Sequence, residues 1–190
     1  QEFEGSGTEV DFGITYTAAA DTGFNLIGNP YGATIDWDHP SWTKTNVDNT
    51  IYIWDPAANG GNGEYLTWNG VTGTLGSGLI PPFQGFWVKA TGAGPSLIVS
   101  EDAKTNNGNF LRKEGKGSSD TENGPLIRLQ LRNQELIKQT NMMFSNQASL
   151  RKDPLDAFEL SPFSASRVEL HTLLEDGSAL AINNLPSNFS

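Results

Sequence analysis

Apolar and polar residues alternate with period two along most of this chain, in short runs closed off by Gly, Pro, Asn or Asp. Such alternation gives an extended strand one apolar and one polar face, and runs this short cannot present a helical stripe to a core. Val10, Phe12, Ile14 and Tyr16 alternate with Asp11, Gly13, Thr15 and Thr17, and similar runs follow at 24–28, 51–55, 64–68, 86–91 and 97–100. Farther on, Ile127, Leu129 and Leu131 alternate with Arg128, Gln130 and Arg132, which predicts a half-buried strand with a basic outer face. Asn69-Gly70 and Asp176-Gly177 read as hairpin turns, the second between strands over 167–173 and 179–185. Only 133–140 and 153–160 have a helical pattern, and the second contains Pro154. With 21 Gly and 10 Pro punctuating the strands, the fold class is all-β. The expected architecture is an antiparallel, jelly-roll-like β-sandwich, built as one sandwich or as two packed β subdomains.

Charge and aromatic content divide the chain. Residues 1–103 carry two cations, Lys44 and Lys89, against twelve acids, whereas residues 104–190 carry ten of each. All five Trp and all four Tyr precede residue 91. The expected domains are therefore an acidic, Trp/Tyr-rich β domain at 1–103 and a second β region at 125–190. A linker or long loop at 104–124 joins them, too polar to offset its ordering entropy. An acidic surface repels phosphate backbones, so nucleic acid is excluded as a partner of the first region. No run approaches the about 18 apolar residues of a membrane span, so no membrane insertion is expected. The absence of Cys removes disulfides, thiolate nucleophiles and Cys-based metal sites, and suits an oxidising exterior.

Enzymatic constellations fare poorly. There is no Gly-x-Ser-x-Gly elbow, the two histidines, His39 and His171, lie in different regions, and the glycines at 60, 61 and 63 lead into a strand rather than a phosphate-binding helix. Asp36, Asp38, Asp55 and Glu64 are candidate glycosidase carboxylates, but nothing in their spacing separates them from solvated loop acids. Calcium suits loops rich in acids and amides better, and Asp55, Asn59, Asn62 and Glu64 are the candidate ligands. Asp36, Asp38, Asn46 and Asp48 form a second set. Rings beside polar groups are what a sugar-binding face uses. Trp37 and Trp42, outside the strand patterns, with Asp36 and Asp38 on either side of Trp37, are the expected exposed platform for a polysaccharide or cell-surface glycan.

The segments Gly23-Phe-Asn-Leu-Ile-Gly-Asn-Pro-Tyr31, Ala33-Thr-Ile-Asp-Trp37, Ile51-Tyr-Ile-Trp-Asp55, Tyr65-x-x-Trp68-Asn-Gly70 and Ile80-Pro-Pro-Phe-Gln-Gly-Phe-Trp-Val-Lys-Ala90 follow one another in a familiar order. Ile127-Arg-Leu129, Asp153-Pro-Leu-Asp-Ala-Phe-Glu-Leu160 and Asp176-Gly-x-x-Leu-Ala-Ile-Asn-x-Leu-Pro186 continue it. The succession resembles a module that lies just upstream of the C-terminal sorting domain in type IX secretion system cargo of the Bacteroidota. Gly32 stands where that pattern more often has Pro. The resemblance implies a β-rich, non-catalytic region of a secreted or outer-surface protein, serving adhesion, spacing or presentation. It also implies a fragment of a longer parent, with the second β region, 125–190, cut short at its C-terminal end, whose open sheet edge would invite pairing with other chains. A carbohydrate-binding module is the alternative, and a glycoside hydrolase fragment the third reading.

Overall fold

The computed structural model describes residues 9–18, 23–106, 125–132, 137–161 and 169–188. Fifteen strands occur among them. They are β1 (Val10–Asp11), β2 (Phe24–Gly28), β3 (Thr34–Asp36), β4 (Thr43–Thr45), β5 (Ile51–Asp55), β6 (Glu64–Trp68), β7 (Leu79–Ile80), β8 (Gly85–Lys89), β9 (Ser96–Val99), β10 (Lys104–Thr105), β11 (Leu126–Arg132), β12 (Ile137–Ser145), β13 (Ala157–Phe158), β14 (Thr172–Leu173) and β15 (Ala179–Pro186). The protein is all-β, as the alternation predicts, with several mostly antiparallel sheets and, among the described residues, no closed barrel. Among the described residues no helix is long and apolar enough to cross a membrane.

The chain divides into two compact units, residues 1–51 with 78–115 and residues 52–77 with 116–190. One crossing between the units, from 115 to 116, falls inside the stretch expected as a linker at 104–124, but 52–77 belongs with the C-terminal segment, so the division is discontinuous. Of the expected linker, Lys104 and Thr105 pair with Ile35 and Thr34, and residues 107–124 lie outside the described residues.

In unit 1, β9 lies between β1 and β4, β3 lies between β10 and β7, and β2 runs antiparallel to β8. Ile35, Trp37, Ile80, Phe86, Val88, Leu97 and Val99 are fully buried or nearly so, and on β8 and β9 they occupy alternate positions as the pleat requires. The turn after β2 explains the Gly28-Asn29-Pro30 motif. Asn29 is 2% exposed, and its Nδ2 donates to the carbonyls of Ala33, Ile80 and Pro81 at 2.8, 3.1 and 2.9 Å, while its Oδ1 accepts from the Tyr31 N–H. One side chain thus ties the turn to the end of β7 and to the residue after it. The run expected over 10–16 forms a strand only at Val10–Asp11. Gly13 turns the chain at φ 57°, and the Asn25 side chain, not a ladder, then binds the backbone of Thr15.

In unit 2, β12 pairs with β11 antiparallel over seven residues and with β15 in parallel, an exception to the antiparallel expectation. The far edge of β15 takes β13 and β14. β5 and β6 are neighbours in a sheet, joined by a turn whose Gly63, at φ +78°, leaves room for the Trp54 ring: a Cβ there would lie 2.1 Å from Trp54 Cζ2. Tyr52, Ile53, Met143, Ala157, Leu180 and Ile182 are buried.

The expected helices are not formed. Residues 137–140 begin β12, because pairing with β11 overrides weak local propensity, and residues 133–136 lie outside the described residues. In 153–160, Asp153 and Asp156 bind backbone N–H groups to make a turn that leads into β13. Asp176-Gly177 turns the β14–β15 hairpin, with Gly177 at φ 86°, and the expected strand residues 167 and 168 lie outside the described residues. Asn69-Gly70 makes a turn but no two-residue hairpin. Asn69 Oδ1 accepts from Val71 and Thr72, and the chain returns along Thr67 through a Leu75 N–H to Thr67 carbonyl bond.

Candidate functional site

The expected glycan platform is part of the core of unit 1. Trp37 is 0% and Trp42 8% exposed. The rings meet edge to face with centroids 4.8 Å apart, and Trp37 also meets Phe86 edge to face while Trp42 stacks with Phe12. Each indole N–H is bonded to backbone, Trp37 to the Asn49 carbonyl and Trp42 to that of Asp36, both at 2.8 Å. A large ring with its one donor satisfied inside the protein gains more from burial than from exposure. The expectation of exposed rings is thereby corrected: both lie outside the strands yet fill the space beneath them. Asp36 Oδ1 accepts from the Asp38 N–H at 3.0 Å, closing a turn around Trp37 at the end of β3.

Lys44, on β4, extends over the Trp37 ring at 3.7 Å from its centroid. Its Nζ donates to the Trp37 carbonyl at 2.9 Å and to Asn49 Oδ1 at 3.0 Å. Burial pushes this amine down to about 8, against the opposing pull of Asp38 and Asp36.

The expected calcium ligands are dispersed in their bonding. Asp55 Oδ1 accepts from the Ala57 N–H at 2.9 Å, and Asn62 donates through its backbone and side-chain nitrogens to the Asn59 carbonyl. Asn59 adopts φ 54° within this turn. Glu64 leaves the loop for the interior of unit 2, where it binds a lysine. Among the described residues no group of three or more His, Asp or Glu side chains is placed to hold a metal ion.

That lysine is Lys138. Its Nζ lies 2.7 Å from Glu64 Oε1 and 2.6 Å from Glu159 Oε1, with all three side chains 10% exposed or less. Burial alone would lower the Lys138 pKa, but the two carboxylates reverse this and raise it. Glu159 is raised by its own burial, which outweighs the ammonium, and Glu64 adds like-charge repulsion. One cation shared by two carboxylates leaves an excess negative charge in the interior, and Glu159 carries the consequence. Two carboxylates so placed resemble a glycosidase pair only superficially, since an ammonium occupies the space between them. A further buried acid, Asp156, is 0% exposed. It accepts from the backbone N–H groups of Asn184 and Asp153 at 2.6 and 2.8 Å, and burial still pushes it up to about 6.

Sequence patterns single out none of Lys138, Glu159 and Asp156 as functional. Lys138 lies in a segment whose local pattern is helical, and its partners are 74 and 21 residues away, so no local pattern joins them. Alternation also predicts a buried face for β11, yet residues 127–132 are exposed on both sides of the strand.

A scan against models of protein families, and searches of curated proteins and of solved structures, found no match.

Proposed function

We propose that this chain is a non-catalytic β module of a secreted or surface-attached bacterial protein, serving adhesion, spacing or presentation. The observation that carries the reading is the use made of the candidate residues. Trp37 and Trp42 are packed rings whose N–H groups bind backbone, Glu64 neutralises a buried ammonium, and Asp36 and Asp55 close turns. Side chains that a binding or reacting site would keep open are committed to the fold. The order of motifs from Gly23 to Pro186 resembles the module of Bacteroidota cargo and supports the same reading. It extends the proposal to export by the type IX system and to a place on the outer surface.

The test is a panel of chromogenic glycosides and insoluble polysaccharides, with calcium and with chelator, using the intact chain. The expected result is no turnover, no retention on any polysaccharide, and a melting temperature that calcium does not move. Turnover abolished in a folded Glu64→Gln variant would overturn the proposal in favour of hydrolysis, and retention on a glycan would overturn it in favour of a carbohydrate-binding module.

A further inference from the structure

One amine touches two carboxylates in the interior of unit 2. Lys138 Nζ lies 2.7 Å from Glu64 Oε1 and 2.6 Å from Glu159 Oε1, and all three side chains are buried or nearly so. Each is set in the β framework. Lys138 is the second residue of β12 and Glu64 the first of β6, while Glu159 follows β13 and donates its backbone N–H to the Ala179 carbonyl at 2.9 Å. Ion pairs between long surface side chains open and exchange with water, whereas these three groups are held in contact and shielded from it.

An amine and a carboxyl in such contact are also the two reactants of an amide. Because Oε1 is one bond from Cδ, Nζ stands at about the 3–3.5 Å of a near-attack arrangement, and held proximity replaces the encounter that makes condensation negligible between free groups. The reaction further needs a protonated carboxyl, a neutral amine and a carrier for protons. Burial raises the Glu159 pKa against the pull of the ammonium, and the neighbouring Glu64 charge adds to the rise, so Glu159 is the acid that takes up a proton. That makes Glu159 the acyl partner and leaves Glu64, bonded to the same Nζ, as the base.

We propose that Lys138 and Glu159 are the two halves of an intramolecular amide cross-link, which the folded chain forms with Glu64 as general base. Glu64 takes a proton from Nζ, the Nζ lone pair attacks Glu159 Cδ, and the carboxyl hydroxyl leaves. Of the three protons on the ammonium, one departs with that hydroxyl as water, one stays on Glu64 and one stays on the amide nitrogen. Nothing is oxidised or reduced. The product leaves no charge among the three groups, which relieves the desolvation that burial imposes on the ions.

The place of the bond in the fold gives it a use. β15 lies between β12 and β13, and a link from Lys138 to Glu159 ties the strands on either side of β15 together, closing a loop between residues 21 apart. It depends on this cluster alone and not on what the module adheres to. Burial would lower the Lys138 pKa, but the two carboxylates raise it, so the ammonium dominates and the bond forms slowly. The ionic cluster is the form held in neutral and alkaline solution, and protonation of Glu159 makes weak acid the faster condition. Among the described residues, His171 is the other titratable group acting on Glu159, and its cationic form favours the carboxylate.

The experiment is mass spectrometry of the full chain, folded and unfolded in urea, after incubation for days in weakly acidic buffer, followed by tryptic mapping. A growing fraction of the folded chain is expected to lose one water. The map should show the peptide 133–151, uncut at Lys138, joined to the peptide 153–167. Peptides locate the loss because Asp176-Gly177 can also shed a water, as a succinimide. Lys138→Arg, which keeps a cation in place, should form no link. Glu64→Gln should slow linking at least about a hundredfold, with near-ultraviolet circular dichroism showing the fold intact. The wild-type result requires no variant to fold: the absence of a linked peptide from the folded chain, or equal linking in urea, overturns the proposal. So does a link to the peptide 45–89, which would make Glu64 the acyl partner, and so does linking at the wild-type rate in folded Glu64→Gln.

Discussion

Each unit draws the ammonium of a lysine out of water, partly for Lys44 and almost fully for Lys138, and the two do it in opposite ways. In unit 1, Lys44 is held by neutral groups: the Trp37 carbonyl, Asn49 Oδ1 and the face of the Trp37 ring. In unit 2, Lys138 is held by the carboxylates of Glu64 and Glu159. The neutral cradle solvates the charge incompletely and pushes the Lys44 pKa down to about 8, whereas the charged one more than offsets burial and raises that of Lys138. A buried amine is therefore easily given up where its partners are dipoles and hard to remove where they are ions.

The sharpest way to break this comparison is to delete each ammonium while keeping the apolar stem. Lys138→Met leaves Glu64 and Glu159 facing each other across a space with no cation. Removing one member of a buried ion cluster costs about 3–5 kcal/mol, and that is the loss expected in urea denaturation at neutral pH. Acid should restore part of it by protonating Glu159, whose pKa is already raised by burial. A loss below about 1 kcal/mol would mean that the cluster is hydrated in solution and that the contrast is not one of ions against dipoles.

Unit 2 also contains a buried acid held by backbone N–H groups. The folded protein holds the Asp156 proton up to about pH 6, against an ordinary value of 3.8, so between those values the folded state binds more protons than the unfolded one. Stability contributed by neutral Asp156 is complete below 3.8 and lost as pH rises through about 6. The gap between the two values corresponds to at most about 3 kcal/mol. Denaturation measured from pH 4 to pH 7 should show this fall, and Asp156→Asn should flatten it whatever its effect on absolute stability.

How far the sequence anticipates these features depends on the reach of the interactions. β2, β5, β6 and β15 form where the short runs predict strands, because strand propensity is local, although burial does not follow the alternation: Ile51, Tyr52 and Ile53 of β5 are buried in succession and Leu26 of β2 is exposed. Asn29 and Gly177 are legible as turn residues because turn chemistry is equally local. Residues 137–145 become a strand through partners at 126–132 and 182–186, which no window over the segment contains. The same reason hides the lysine cluster. Trp37 and Trp42 mislead for a different one: a position outside the strands suggests exposure, but a ring buried beneath a sheet can start from a loop when its N–H finds a carbonyl there. β11 is legible as an alternating strand, but alternation marks two faces and does not tell whether anything covers the apolar one.

At alkaline pH the two lysines should pull stability in opposite directions. Between about 8 and 10.5 the folded state has lost the Lys44 proton while the unfolded chain keeps it. Stability through Lys44 therefore rises with pH across that window, by at most about 3 kcal/mol before the discount for partial exposure. Lys138 contributes fully below 10.5 and its contribution is lost as pH rises above that value. Lys44→Met should cost less than about 1 kcal/mol at pH 7, because the bonds lost at the Trp37 carbonyl and the Asn49 amide are offset by relief of a poorly solvated charge. The same variant should abolish the rise between about 8 and 10.5 and leave the fall above it. Denaturation of the wild type and this variant across that range checks both. A rise that survives Lys44→Met would have to come from another group, and the neutral cradle would then hold its charge as well as the ionic one does.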